Sequence, residues 1–219
     1  MTLMSKVINF NTADQAHVVA FVDAGGLTAQ QQRTLGIIRE EARAKQRDLD
    51  RQGVDWGLTV PEALEHLIAG RADSDAECAG NAYYTALQKI IDCTGSDSNT
   101  LGSYSSPSTF FGLLDKELTQ AGVPRDLLPS DFLYAGPPEQ IPFYIPSPVD
   151  GSPEIGRWPL AKAKPAADAY RAVLDRIDPD FRYDLNELIK ELDNEDENWR
   201  EMQDVDWYTQ DTIFFSIVG

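Results

Sequence analysis

The run Thr212-Ile213-Phe214-Phe215-Ser216-Ile217-Val218 decides how the rest of the chain must be arranged. Its β-branched and aromatic residues, without glycine or proline, read as a strand. The strand is apolar on both faces, because side chains alternate along it. Such a strand has to be covered on both sides. Its natural partners are a short N-terminal strand, Lys6 to Phe10, and a hairpin neighbour inside the proline-rich segment that ends near Pro159.

The covering layers must come from helices. Thr12 reads as the N-cap of a helix running to Ala24 and stopped by Gly25-Gly26. Thr28 caps a long helix to about Arg51, apolar only at Leu35, Ile38, Ala42 and Leu49; a helix this polar lies on the surface. After a break containing Trp56, Thr59-Val60-Pro61-Glu62 is a capping-box pattern opening a helix to Ile68. Asp75 reads as the cap of the next helix, to about Cys93, with a three-four stripe at Ala79, Tyr83, Ala86, Leu87, Ile90 and Ile91. Gly95 to Ser108 reads as a polar loop. Thr109 to Ala121 is a helix with Phe110, Leu113, Leu114 and Leu118 inward, and Arg125 to Leu133 adds a turn. Helices over Pro159–Asp178 and from Asp184 to about Gln203 complete the set; Leu185, Leu188, Ile189 and Leu192 face inward on the last one.

Nine of the thirteen prolines lie between Pro124 and Pro159. Proline lacks a donor and blocks helix, so this stretch is extended. It also carries Phe132, Tyr134, Ile141, Phe143, Tyr144 and Ile145, which a solvated linker would not. It is expected to cross the helical core and bury them. The fold class is therefore mainly α with a small β element, a helical core crossed by a proline-rich extended segment. Residues 1–57 form an N-terminal strand and helical extension, and residues 58–219 the main α-rich domain ending in a β-strand.

Three stretches together resemble a known kind of protein. They are the helix ending His66-Leu67-Ile68-Ala69-Gly70 followed by Tyr83-Tyr84, the stretch from Leu114-Asp115 to Gly122, and Ile145-Pro146-x-Pro148-x-Asp150-x-x-Pro153-x-Ile155-Gly156 with the terminal aromatic strand. The chain resembles an uncharacterised bacterial family of immunity-like proteins, encoded near polymorphic toxins. The resemblance covers residues 59–219, brings no active site, and implies an immunity-like or partner-binding role.

Composition narrows the function further. The net charge is −17, and residues 175–219 alone carry fourteen acidic and four basic side chains. Such a field repels nucleic acid and anionic lipid and speeds association with basic partners. No run approaches the length of a membrane span, and no secretory signal is evident. Cys78 and Cys93, placed on one helix, would stand about 22 Å apart, too far for a disulfide. Two reduced thiols imply a cytoplasmic setting.

Catalytic signatures are missing. There is no Gly-x-Ser-x-Gly elbow and no phosphate loop, and His17 and His66 stand alone. Carboxylates are too abundant for any one pair to carry information. In Asp193-x-Glu195-x-Glu197, Asn198 and Asp204 occupy the positions where a calcium loop needs glycine and glutamate. No enzyme activity, cofactor or metal is expected.

The remaining constellation is Asp193, Glu195, Asp196, Glu197, Trp199, Glu201, Asp204, Asp206, Trp207 and Tyr208. Carboxylates attract a basic surface and accept from arginine, and the aromatics supply anchor area. This is the expected partner-binding set. It suits an immunity protein that occludes the basic functional surface of a cognate toxin. The alternatives are an adaptor or chaperone for an effector, and a carboxylate-dependent hydrolase.

Overall fold

The terminal strand lies where two apolar faces require it, inside a sheet with a helical layer on each side. The structure, a computed structural model, describes residues 5–23, 25–149 and 153–219. Strand β4 (Thr212–Val218) runs antiparallel between β1 (Lys6–Ala13) and β3 (Glu154–Pro159). Strand β2 (Asn99–Tyr104) pairs with the other side of β1, so the order is β2-β1-β4-β3. Ile213, Phe215 and Ile217 join a core with Ile8, Phe10 and Trp158, whereas Phe214 joins a second core with Ala13 and Ile155. The sheet therefore divides the interior in two.

The second core is closed by α1 (Gln15–Ala20), α2 (Ala29–Gln52), α3 (Val60–Ile68) and α4 (Ala79–Thr94). The first is closed by α5 (Pro107–Gln120), α6 (Pro129–Leu133), α7 (Leu160–Arg171) and α8 (Pro179–Glu201). The architecture is mainly α with a small antiparallel sheet. β1 is an interior strand, and α2 packs on α3 and α4. Through β1, α1 and α2 the N-terminal part thus shares the sheet and one core with the remainder of the chain.

Capping chemistry places the helices well where it is strong. Thr28 with Gln31, and Thr59 with Glu62, form complete capping boxes. The four apolar positions of α2 are its buried ones. Several boundaries differ from the sequence reading. Thr12 remains in β1, and Asp14 caps α1, which ends at Ala20; Ala24 lies outside the described residues. Asp75 is not the cap: α4 starts at Ala79 behind Cys78, which makes no side-chain cap hydrogen bond. Helix α7 ends at Arg171, and α8 starts at Pro179 behind Asp178, whose side chain accepts from the Asp180 N–H. In α5 the buried aromatic is Phe111, with Phe110 only partly covered and Leu113 exposed. The helix begins earlier than the sequence reading, at Pro107, and its buried stripe is Pro107, Phe111, Leu114 and Leu118.

The larger correction is β2. The stretch read as a polar loop contains a strand, paired with β1 over Lys6–Phe10 with an irregularity between Ile8 and Asn9. An edge strand has one side in solvent, so it needs little apolar sequence.

The proline-rich segment does cross the helical layers, burying Phe132 in one core and Ile141 and Ile145 in the other. Tyr144 is the exception, at 78% exposed. Close approach depends on Gly80: a Cβ there would stand 2.1 Å from the Ser147 carbonyl oxygen. Asn81 then clamps the segment. Its side-chain oxygen accepts from the Val149 N–H at 2.8 Å, and its amide donates to the Val149 carbonyl at 3.3 Å. Asp150 lies outside the described residues.

Candidate acidic interface

The C-terminal half of α8 and the loop from Met202 to Asp211 meet the rest of the molecule at one end of the sheet. Ala13 pairs with Thr212, and Phe10 with Asn99, so the end of β1 and the starts of β4 and β2 lie together there. α8 is long enough to reach this end because its first half is anchored by Leu185, Leu188, Ile189 and Leu192 in the core. Beyond Leu192 the helix loses its apolar stripe and becomes acidic.

The ten residues of the acidic-aromatic set are not equivalent. Asp193 is occupied by α7: it accepts from Lys164 at 3.3 Å and from the Arg171 guanidinium. Asp168 shares the same two cations, and its carboxyl is held below the usual range by hydrogen bonding from Lys164. Asp196 is only 5% exposed and is paired with Arg200 at 2.9 Å, one helical turn on. Trp199 packs on the core. These three side chains are used by the fold.

Glu197, Glu201, Asp204, Asp206 and Trp207 are exposed, Trp207 at 75%. Tyr208 is half-buried beside Trp207, with ring centroids 6.4 Å apart at an edge-on angle. Burial pushes the Tyr208 phenol up, and the Glu195 charge adds to it. Burial likewise raises Glu195 above the usual carboxylate range, with the Glu191 charge contributing.

Glu195 faces an open polar hollow of ≈ 370 Å³ between α8 and β2. Its lining is Asn99 and Thr100 from β2 and Glu191, Asn194, Glu195, Glu197 and Asn198 from α8. Sequence reading missed the first two, because they lay in an apparent loop. Glu191, Asn194, Glu195 and Asn198 carried a readable signal: helical three-four spacing puts them on one polar face. The hollow presents carboxylates and amides and no basic side chain, so it can accept hydrogen bonds from a cationic group. Among the described residues, no group of three or more His, Cys, Asp or Glu is placed to hold a metal ion. No described helix is long and apolar enough to cross a membrane. Cys78 and Cys93 are free thiols, and burial raises that of Cys93 to about 11.

Fold and surface together define a mainly α protein built on a four-stranded antiparallel sheet, with an acidic, aromatic-bearing end. The chain belongs to the family described as Domain of unknown function (DUF7691), which matches residues 4–216. No curated protein and no solved structure matches it significantly.

Proposed function

We propose that this protein is a protein-binding inhibitor of the immunity type, which docks on a basic partner and occludes its working surface. One observation carries the reading: Trp207 stands 75% exposed on the loop after α8, in a stretch of sequence that also exposes Glu201, Asp204 and Asp206. A large aromatic left in water within an acidic stretch suits a hot-spot anchor with electrostatic steering around it. The toxin as partner comes from the resemblance described above, not from the geometry. The mechanism is steric, with no covalent step.

The test is capture of the adjacent gene's product by the tagged full-length chain at low and high salt. A tight one-to-one complex that shields cells from that product supports the inhibitor. No complex at either salt refutes it.

A second reading rests on Glu195. A carboxyl with raised pKa at the wall of an open hollow, beside Glu191, is the arrangement a carboxylate-dependent hydrolase would use as its acid. Turnover of a glycosidic or phosphoester substrate panel by the purified chain, lost in Glu195→Gln, would favour it over the inhibitor.

A further inference from the structure

The two edges of the sheet are treated differently. The outer edge of β3 is closed: the Gly136 N–H donates to the Ile155 carbonyl at 2.9 Å, and Arg157 donates to the carbonyls of Gly136 and Ala135. The outer edge of β2 is not. Among the described residues, no backbone hydrogen bond reaches residues 99–104 from any element but β1. Alternate N–H and C=O groups of an antiparallel strand point away from its partner, so β2 presents a row of them to solvent. The strand is six residues long, is exposed at Asn99, Thr100 and Ser103, and contains no proline.

The polar hollow opens alongside this edge. Glu191, Glu195 and Glu197 stand over Asn99 and Thr100. Glu191 shares Lys190 at 3.8 Å, while no ion pair among the described residues engages Glu195 or Glu197. A second copy of this chain is a poor fit, since edge-to-edge pairing would bring two sets of these carboxylates together in a molecule already at −17. The same charges favour a strand that carries cations.

We propose that the open edge of β2 is a strand-addition site for an extended basic segment of a partner protein, which presents Lys or Arg at alternate positions to Glu191, Glu195 and Glu197. Backbone pairing along residues 99–104 supplies the register, and the hollow supplies the selectivity. Residues two apart on a strand share a face and lie about 7 Å from one another. Two successive cations therefore reach the α8 carboxylates while the intervening side chains face away. The site deepens the partner-binding reading, on which it rests for the partner being a basic protein.

The probe is a short blocked peptide in which lysine and threonine alternate, offered to the full chain at low salt. Hydrogen exchange and fluorescence anisotropy are the readouts. Amides of residues 99–104 become protected, and the same peptide with N-methylated threonines binds at least about tenfold more weakly, since it keeps the charge but loses edge hydrogen bonds. The triple variant Glu191→Gln, Glu195→Gln, Glu197→Gln, checked by an unfolding midpoint no lower than the parent's, weakens binding of the first peptide by a similar factor. Equal binding of both peptides without protection of residues 99–104 overturns the site, as does protection of these amides by self-association in the absence of peptide. The two readings fail separately. A captured gene-neighbour product with residues 99–104 exchanging at the free rate removes strand addition and leaves the inhibitor. Peptide protection with no neighbour captured keeps the site and removes the inhibitor.

Discussion

Replacing Trp207 by alanine separates the interface from the fold. A fully covered aromatic side chain buries about 150–250 Å². With Trp207 75% exposed, about 150 Å² is left for a partner to cover, which at about 25 cal/mol per Å² sets a ceiling of about 4 kcal/mol. Ordering the side chain on binding offsets about 1 kcal/mol of this. Trp207→Ala should therefore weaken the complex by about 2–3 kcal/mol, or about 30- to 150-fold in Kd. The free chain should be affected by no more than about 0.5 kcal/mol, as for an ordinary surface change. Trp199→Ala is the internal control: that ring packs on the core, and its loss should destabilise the chain by about 2 kcal/mol or more. Titration calorimetry against the captured partner and urea unfolding of each variant give the two quantities. If Trp207→Ala leaves Kd within about twofold of the parent, Trp207 is not the anchor and the interface does not lie on this loop. If it lowers the unfolding midpoint as Trp199→Ala does, the Trp207 ring serves the fold and not the interface.

Other outcomes follow from single contacts. Gly80→Ala places a Cβ 2.1 Å from the Ser147 carbonyl oxygen and should cost about 1–3 kcal/mol in urea unfolding, with protease cleavage appearing within residues 137–149. Asn81→Leu removes both hydrogen bonds to Val149, for about 1–2 kcal/mol by the same assay. Glu195 has a folded pKa raised by burial and Glu191. The neutral acid is favoured in the fold, so the stability it contributes is present below the unfolded pKa and lost as pH rises through the folded one. Glu195→Gln should thus raise the melting temperature at pH 7 and lose that advantage at about pH 4, in paired thermal scans. Glu65 is the opposite case, lowered by its bidentate hydrogen bonds from Arg39. Its contribution is present above the unfolded pKa and lost as pH falls through the folded one. Both side chains are largely exposed, so Arg39→Met should cost no more than about 1 kcal/mol at pH 7 and nothing well below the carboxylate range.

The helices with two local signals were legible. α2 joined a capping threonine, and α3 a capping box, to apolar positions at helical spacing, and both appear within a residue or two of the sequence reading. The cap at Asp75 rested on one signal and failed, because a lone carboxylate before a helical stripe does not choose its own distance from it. The candidate site was legible as composition only. Residues 193–208 are acidic and aromatic in any conformation, but the cations that occupy Asp193 come from Lys164 and Arg171 on a neighbouring helix. The burial of Asp196 depends on which face of α8 turns inward.

What the sequence determined alone follows from properties that travel with the residue: the charge, the extended proline-rich segment, the capped helices and a terminal strand apolar on both faces. Each is set by side-chain chemistry within a turn or two of the backbone. What only the tertiary structure decided is relational. β2 is a strand because β1 offers it backbone partners, and Thr100 joins Glu195 at one hollow because α8 passes over the sheet end. A partner tens of residues away leaves no local pattern, since hydrogen bonds along a sheet edge and ion pairs between helices depend on where the chain returns, not on what precedes it.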